Sequence, residues 1–129
     1  MLQQINELQE LEQKINSATR DLIPYYRKLL SRLSHNDNIS IICDYVAALN
    51  EEINPSSTYR TDILAVLCQF SNFVNKNFKN MIRDDIMQYL NSLKRTEEAD
   101  PLHKWIGTYN LHRIYLVRFF KWLYYPNNT

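Results

Sequence analysis

A single glycine, Gly107, in a chain of 129 residues leaves little material for a β-sheet. Hairpins that join strands draw on glycine where the backbone must take a positive φ. With one glycine, four prolines and abundant Leu, Ile, Asn, Lys and Glu, the expected fold class is all-α. Hydrophobic residues make up 45% of the chain, enough to bury a core over about one domain's length. A disordered tail would carry far less.

No window approaches the roughly 18 apolar residues of a membrane helix. The start, Met-Leu-Gln-Gln-Ile-Asn-Glu, lacks the basic and then apolar layout of a signal peptide, so a cytoplasmic location is expected. Cys43 and Cys68 fall on apolar helical stripes and read as buried, reduced thiols rather than a disulfide framework. Net charge is +1 and unevenly placed. Residues 1–56 hold five Lys/Arg against eight Asp/Glu, and residues 57–129 hold ten against six. Residues 101–129 carry four basic side chains and no acidic one. An anionic partner would be drawn to the second half, although a solvated surface has the same composition.

Helical spacing organises the chain. Leu8, Leu11, Ile15, Ala18 and Leu22 form a short heptad seam, which either packs back onto the domain or joins two copies. Pro24 places a break near Asp21–Ile23, with Asp21 as a candidate cap for a helix over 22–33 that buries Tyr26, Leu29, Leu30 and Leu33. After a polar loop, Asp37 or Asn38 is a candidate N-cap for a third helix ending near Glu52, with Ile39, Ile42, Cys43, Val46 and Leu49 inward. Pro55-Ser56-Ser57-Thr58 opens a fourth helix whose core stripe is Tyr59, Ile63, Leu67, Phe70 and Val74. Its other face carries Thr58, Thr61, Asp62, Ala65, Gln69 and Asn72, short side chains that let another surface come close. Asn75–Asn80 reads as a polar turn. A fifth helix over 83–93 has Asp84 and Asp85 at its positive end and buries Ile82, Ile86, Leu90 and Leu93. A charged loop over 94–103 precedes the last helix, 107–124. There Leu116, Phe119, Phe120 and Leu123 share one face with His112, opposite Asn110, Ile114, Arg118 and Lys121.

Most self-contained catalytic chemistry is missing. His35, His103 and His112 are scattered, and none has a partner at zinc-ligand spacing, so no metal or other cofactor is expected. One glycine cannot build a phosphate loop. Asp84 and Asp85 are adjacent and point to different sides of a helix, a poor arrangement for paired acid and base work. What remains is polar surface. One helix opens with Ser56, Ser57, Thr58, Arg60 and Thr61, the other with Thr108, Tyr109, Asn110 and Arg113. Helix starts rich in hydroxyls bind phosphates, and Asn and Arg also read base edges. Ser and Thr are equally ordinary caps.

The ordered set of these pieces resembles a known family. Residues 39–126 resemble the core-binding domain of tyrosine recombinases, the phage-type integrases, and the last stretch looks most like archaeal members. The matching stretches are Ser57-Thr58-Tyr59-Arg60-Thr61-Asp62-Ile63-Leu64 with Phe70 and Phe73, Arg83-Asp84-Asp85-Ile86 with Tyr89-Leu90, and Thr108-Tyr109-Asn110 with Arg118-Phe119-Phe120-Lys121-Trp122-Leu123. The resemblance implies a SAM-like orthogonal bundle of about four helices over 36–126, after one or two extra helices in residues 1–35. It implies that this domain clamps duplex DNA for integration or recombination, with 57–75 and 107–124 facing the DNA. Family contact positions fall on Thr58 and Thr61, and the DNA face would comprise Thr58, Arg60, Thr61, Asn110, Arg113, Arg118 and Lys121.

The departures are equally specific. The family's Arg, His-x-x-Arg motif and nucleophilic Tyr sit in a following catalytic domain. No His-x-x-Arg occurs here, and none of the nine tyrosines reads as a nucleophile. The chain is therefore expected to bind without cutting, with residues 127–129 beginning a linker after Pro126. The competing reading is a helical protein–protein module that uses the N-terminal seam.

Overall fold

The computed structural model describes residues 2–125. Among them every regular element is helical, and the fold class is all-α. The helices are α1 (Leu2–Ala18), α2 (Pro24–Ser31), α3 (Asn36–Glu52), α4 (Ser57–Val74), α5 (Arg83–Ser92) and α6 (Trp105–Tyr124), with a 3-10 turn over Phe78–Asn80. The chain divides after Lys79 into two compact units, the first holding α1 to α4 and the second α5 and α6. The expected stop at Pro126 and the linker over 127–129 lie outside the described residues.

A chain so poor in glycine turns between its helices by other means. Asp21, Asn54, Asn75 and His103 take positive φ values, from 45° to 66°. Asn, Asp and His are the residues that tolerate this region best after glycine. Asn75 closes α4 in the left-handed conformation, and its N–H donates to the Ser71 carbonyl at 2.8 Å. Gly107 lies inside the first turns of α6, with nothing within 4 Å of where a Cβ would stand.

In the first unit, the break between α1 and α2 falls where Pro24 requires it. Asp21 does not cap α2, because its φ of 66° belongs to the turn and Ile23 occupies the cap position. Pro24 supplies the first helical residue instead, a place where its missing N–H costs nothing. Leu30 and Leu33 are buried, with Tyr26 and Leu29 half-buried. The heptad seam packs back along α3 over its second half, where Ile15 and Ala18 are buried. Lys14 reinforces this contact, its Nζ reaching Ser40 Oγ at 2.9 Å and Asp44 Oδ1 at 3.1 Å. Leu8, at the other end of the seam, is 59% exposed.

Neither Asp37 nor Asn38 is the N-cap of α3, which begins at Asn36 behind His35. Asn38 is instead fully buried and works as a clamp. Its Nδ2 donates to Ser71 Oγ at 3.0 Å and to the Lys76 carbonyl at 2.8 Å. Its Oδ1 accepts the Phe78 N–H at 2.8 Å. The expected polar turn over 75–80 is thereby pinned, and Phe78 is buried with its ring 6.3 Å from Phe70 and nearly parallel. The α4 core is wider than its expected stripe, since Leu64, Val66, Cys68 and Ser71 are buried beside Ile63, Leu67 and Phe70. Helix α4 packs against both α2 and α3, so only a narrow strip stays open. The two thiols are free and buried, one in α3 and one in α4. Burial pushes each up to about 12, with the neighbouring Asp44 adding to the shift of Cys43.

In the second unit, the Asp85 carboxylate accepts the Ile82 N–H at 2.9 Å at the start of α5. Ile82 is exposed rather than buried, because it precedes the helix and lies off its apolar stripe. Tyr89, absent from the expected stripe, is buried with Leu90. The charged segment over 94–103 is a series of turns, and α6 starts at Trp105, two residues earlier than expected. The cause is Asp100, whose carboxylate accepts the Trp105 N–H at 2.8 Å and so opens the helix before Gly107. Of the expected inward face of α6, Leu116 and Phe119 are buried, whereas Phe120 and Leu123 are half-buried, the Phe120 ring stacking on Tyr124 at 6.0 Å.

Candidate nucleic-acid interface

The open strip of α4 begins at its N-terminus. Ser56 caps the helix, its Oγ accepting the Tyr59 N–H at 3.1 Å, so this hydroxyl already has a structural partner. Thr58 is exposed in the first turn. Thr61 is half-buried and donates its hydroxyl to the Thr58 carbonyl at 2.9 Å, which leaves its oxygen only accepting capacity. A phosphate offers acceptors, so Thr61 must turn its hydroxyl before it can hold one. Arg60, two residues on from Thr58, faces away from this strip and is half-buried. Its Nε is buried with no hydrogen-bond partner among the described residues.

On α6, Asn110, Arg113, Arg118 and Lys121 are all exposed. Apolar side chains lie among them: Ile106, Leu111, Ile114 and Val117 are exposed too. Of these, only Ile114 was assigned to the outer face by spacing. Helical geometry carries the signal for the others, since Ile106, Asn110, Arg113, Val117 and Lys121 recur every three or four residues on the side away from Leu116 and Phe119. Beside this face, a groove of about 290 Å³ runs between α5 and α6. Ile86, Leu90, Val117, Phe120 and Tyr124 line it, with Arg113 and Lys121 at its rim. Lys94 stands 5.8 Å over the Tyr109 ring near the start of α6.

His112 belongs to the core. Its Nδ1 is 2.8 Å from Tyr89 Oη, and the two rings are 5.8 Å apart. Burial holds the His112 pKa below its ordinary value and lifts that of Tyr89. The pair is neutral and links α5 to α6. Among the described residues, no three His, Cys, Asp or Glu side chains group as metal ligands, and no helix is long and apolar enough to cross a membrane.

The seven expected contact residues thus fall into two groups, one at the start of α4 and one along α6. Comparison of the chain with family models, with curated proteins and with solved structures finds no match.

Proposed function

We propose that this chain is a DNA-binding domain, the N-terminal core-binding domain of a tyrosine recombinase. It would hold duplex DNA through α4 and α6 while a separate catalytic domain breaks and rejoins the strands. Besides the sequence resemblance, the observation that carries the reading is α6. This helix exposes Asn110, Arg113, Arg118 and Lys121 and contains no carboxylate that would repel phosphate. Such side chains position a domain on the backbone, and Asn and Arg add contacts to base edges. Binding by so modest a charge is weak, on the order of 10⁻⁴ to 10⁻⁶ M at physiological salt.

The test is fluorescence anisotropy with a labelled duplex over a salt series. The double variant Arg118→Ala/Lys121→Ala removes two cationic contacts, so the slope of log K against log salt falls by about two, at about 0.9 per contact. Circular dichroism confirms that the variant is folded. Unchanged affinity and slope refute the DNA face.

A second reading, a helical protein–protein module, is favoured by the exposed Ile106, Leu111, Ile114 and Val117 on α6. Apolar contacts of that kind respond little to salt, so the same series separates the two readings.

A further inference from the structure

We infer that α2 carries a second contact with the DNA backbone, in the N-terminal residues to which the recombinase resemblance gives no role. The ligand rests on the DNA-binding reading, but the residues are not those of α4 and α6. The cations of the first half of the chain are gathered in one place. Residues 1–56 hold five Lys/Arg, and all five fall between Lys14 and Arg32. From residue 13 to residue 36 the one carboxylate is Asp21.

Helix α2 sets three of these cations on one side. Leu30 and Leu33 are buried and Tyr26 and Leu29 half-buried, so its apolar side is already used within the first unit, where α2 packs against α4. On the opposite side Pro24, Arg27, Lys28, Ser31 and Arg32 recur at helical spacing. All five are exposed, and together they line a surface depression of about 360 Å³. Arg27 has Glu12 at 3.9 Å, with both side chains more than half exposed, an arrangement that holds a guanidinium weakly. Lys28 and Arg32 have no ion pair among the described residues.

The chemistry of this face selects its partner. A helix that lies on a bilayer inserts its apolar side, and that side of α2 is covered. A protein interface centres on apolar and aromatic anchors, and the lining offers only Pro24, since the exposed Ile23 and Tyr25 lie outside it. Three cations and no carboxylate in the lining suit a row of phosphates. The Ser31 hydroxyl already donates to the Arg27 carbonyl at 2.8 Å, so the cations supply the contact. From Arg27 to Arg32 the helix rises about 7.5 Å, and duplex DNA presents about four backbone charges over that length.

Fluorescence anisotropy of the full chain with one labelled duplex, over a salt series, tests this. Lys28→Gln/Arg32→Gln removes two cations, so the slope of log K against log salt falls by about two, at about 0.9 per contact. Lys28→Arg/Arg32→Lys keeps both charges and keeps the wild-type slope, which separates a lost contact from a disturbed helix. An unchanged slope for the Gln pair overturns the proposal and leaves this face to an acidic protein. Equal falls in the Gln pair and the charge-keeping pair overturn it as well. Arg118→Ala/Lys121→Ala, measured beside them, judges α6 separately. A fall in that variant alone keeps the DNA-binding reading and removes α2 from it. A fall in the α2 Gln pair alone keeps the α2 contact and refutes the α6 face. A wild-type chain that binds no duplex overturns both.

Discussion

Replacing Asn38 should destabilise the first unit more than any surface change. Asn38→Ala removes three hydrogen bonds at once, to Ser71 Oγ, the Lys76 carbonyl and the Phe78 N–H. Ser71 can turn its hydroxyl to another acceptor. The Phe78 N–H cannot turn and loses its bond to Asn38 in the core, whereas the Lys76 carbonyl lies nearer the surface. A buried polar group that loses its partner costs about 1–3 kcal/mol, so the Phe78 N–H and a small void predict a loss of about 2–4 kcal/mol. That is a large part of the roughly 5–15 kcal/mol that holds a typical domain together. Asn38→Asp separates the contributions. It keeps the acceptor for Phe78, and Ser71 can turn its hydroxyl to donate to the carboxylate, but the bond to the Lys76 carbonyl becomes oxygen facing oxygen, and a carboxyl group is buried. Its deficit should therefore shrink as pH falls, when the protonated carboxyl can donate again. Urea unfolding followed by circular dichroism measures both variants. A loss under about 1 kcal/mol for Asn38→Ala, with the m-value unchanged, refutes the clamp.

Two further outcomes follow from the second unit. Burial lowers the pKa of His112 below 6.5, so the unfolded chain takes up that proton first. The contribution from neutral His112 is complete above pH 6.5 and falls as pH drops toward the folded-state value, by at most about 1.4 kcal/mol per pH unit. Urea midpoints between about pH 7.5 and about pH 5 should fall less steeply for His112→Gln, and equal slopes would remove His112 as the cause. Gly107→Ala should stabilise α6 by about 0.5–1 kcal/mol, because the added Cβ meets nothing and the helix loses its least helical residue. A thermal melt shifted downward would show that Gly107 serves a purpose its surroundings do not reveal.

The fold class was legible because glycine scarcity and helical spacing agree over the whole chain. The third helix ends at Glu52 as its pattern indicates, and the Pro24 break falls where the ring requires it. Side chains that act at long range were not legible. Asn38 looks like a cap in sequence, since its partners lie 33 to 40 residues away. Tyr89 and His112 are 23 residues apart, and neither pattern hints at their hydrogen bond. Asp100 moved the start of α6 by a reach of five residues, beyond ordinary capping motifs. In the candidate site, the outward positions of Asn110, Arg118 and Lys121 were readable from the helical wheel. Ile106 and Val117 share that spacing, yet they and Leu111 went unassigned to the outer face, because apolar residues on a helix are read as core by default.

The buried thiols give the first unit a built-in clock. Cys43 and Cys68 are shielded by burial, and with pKa values near 12 almost no thiolate is present at neutral pH. An alkylating reagent must wait for the core between α3 and α4 to open. Both cysteines precede Lys79, so the second unit can unfold and refold without being labelled. The rate of labelling times the opening of the first unit alone. Equal rates at the two positions would mean that α3 and α4 open together, whereas a faster Cys43 would mean that α3 opens first.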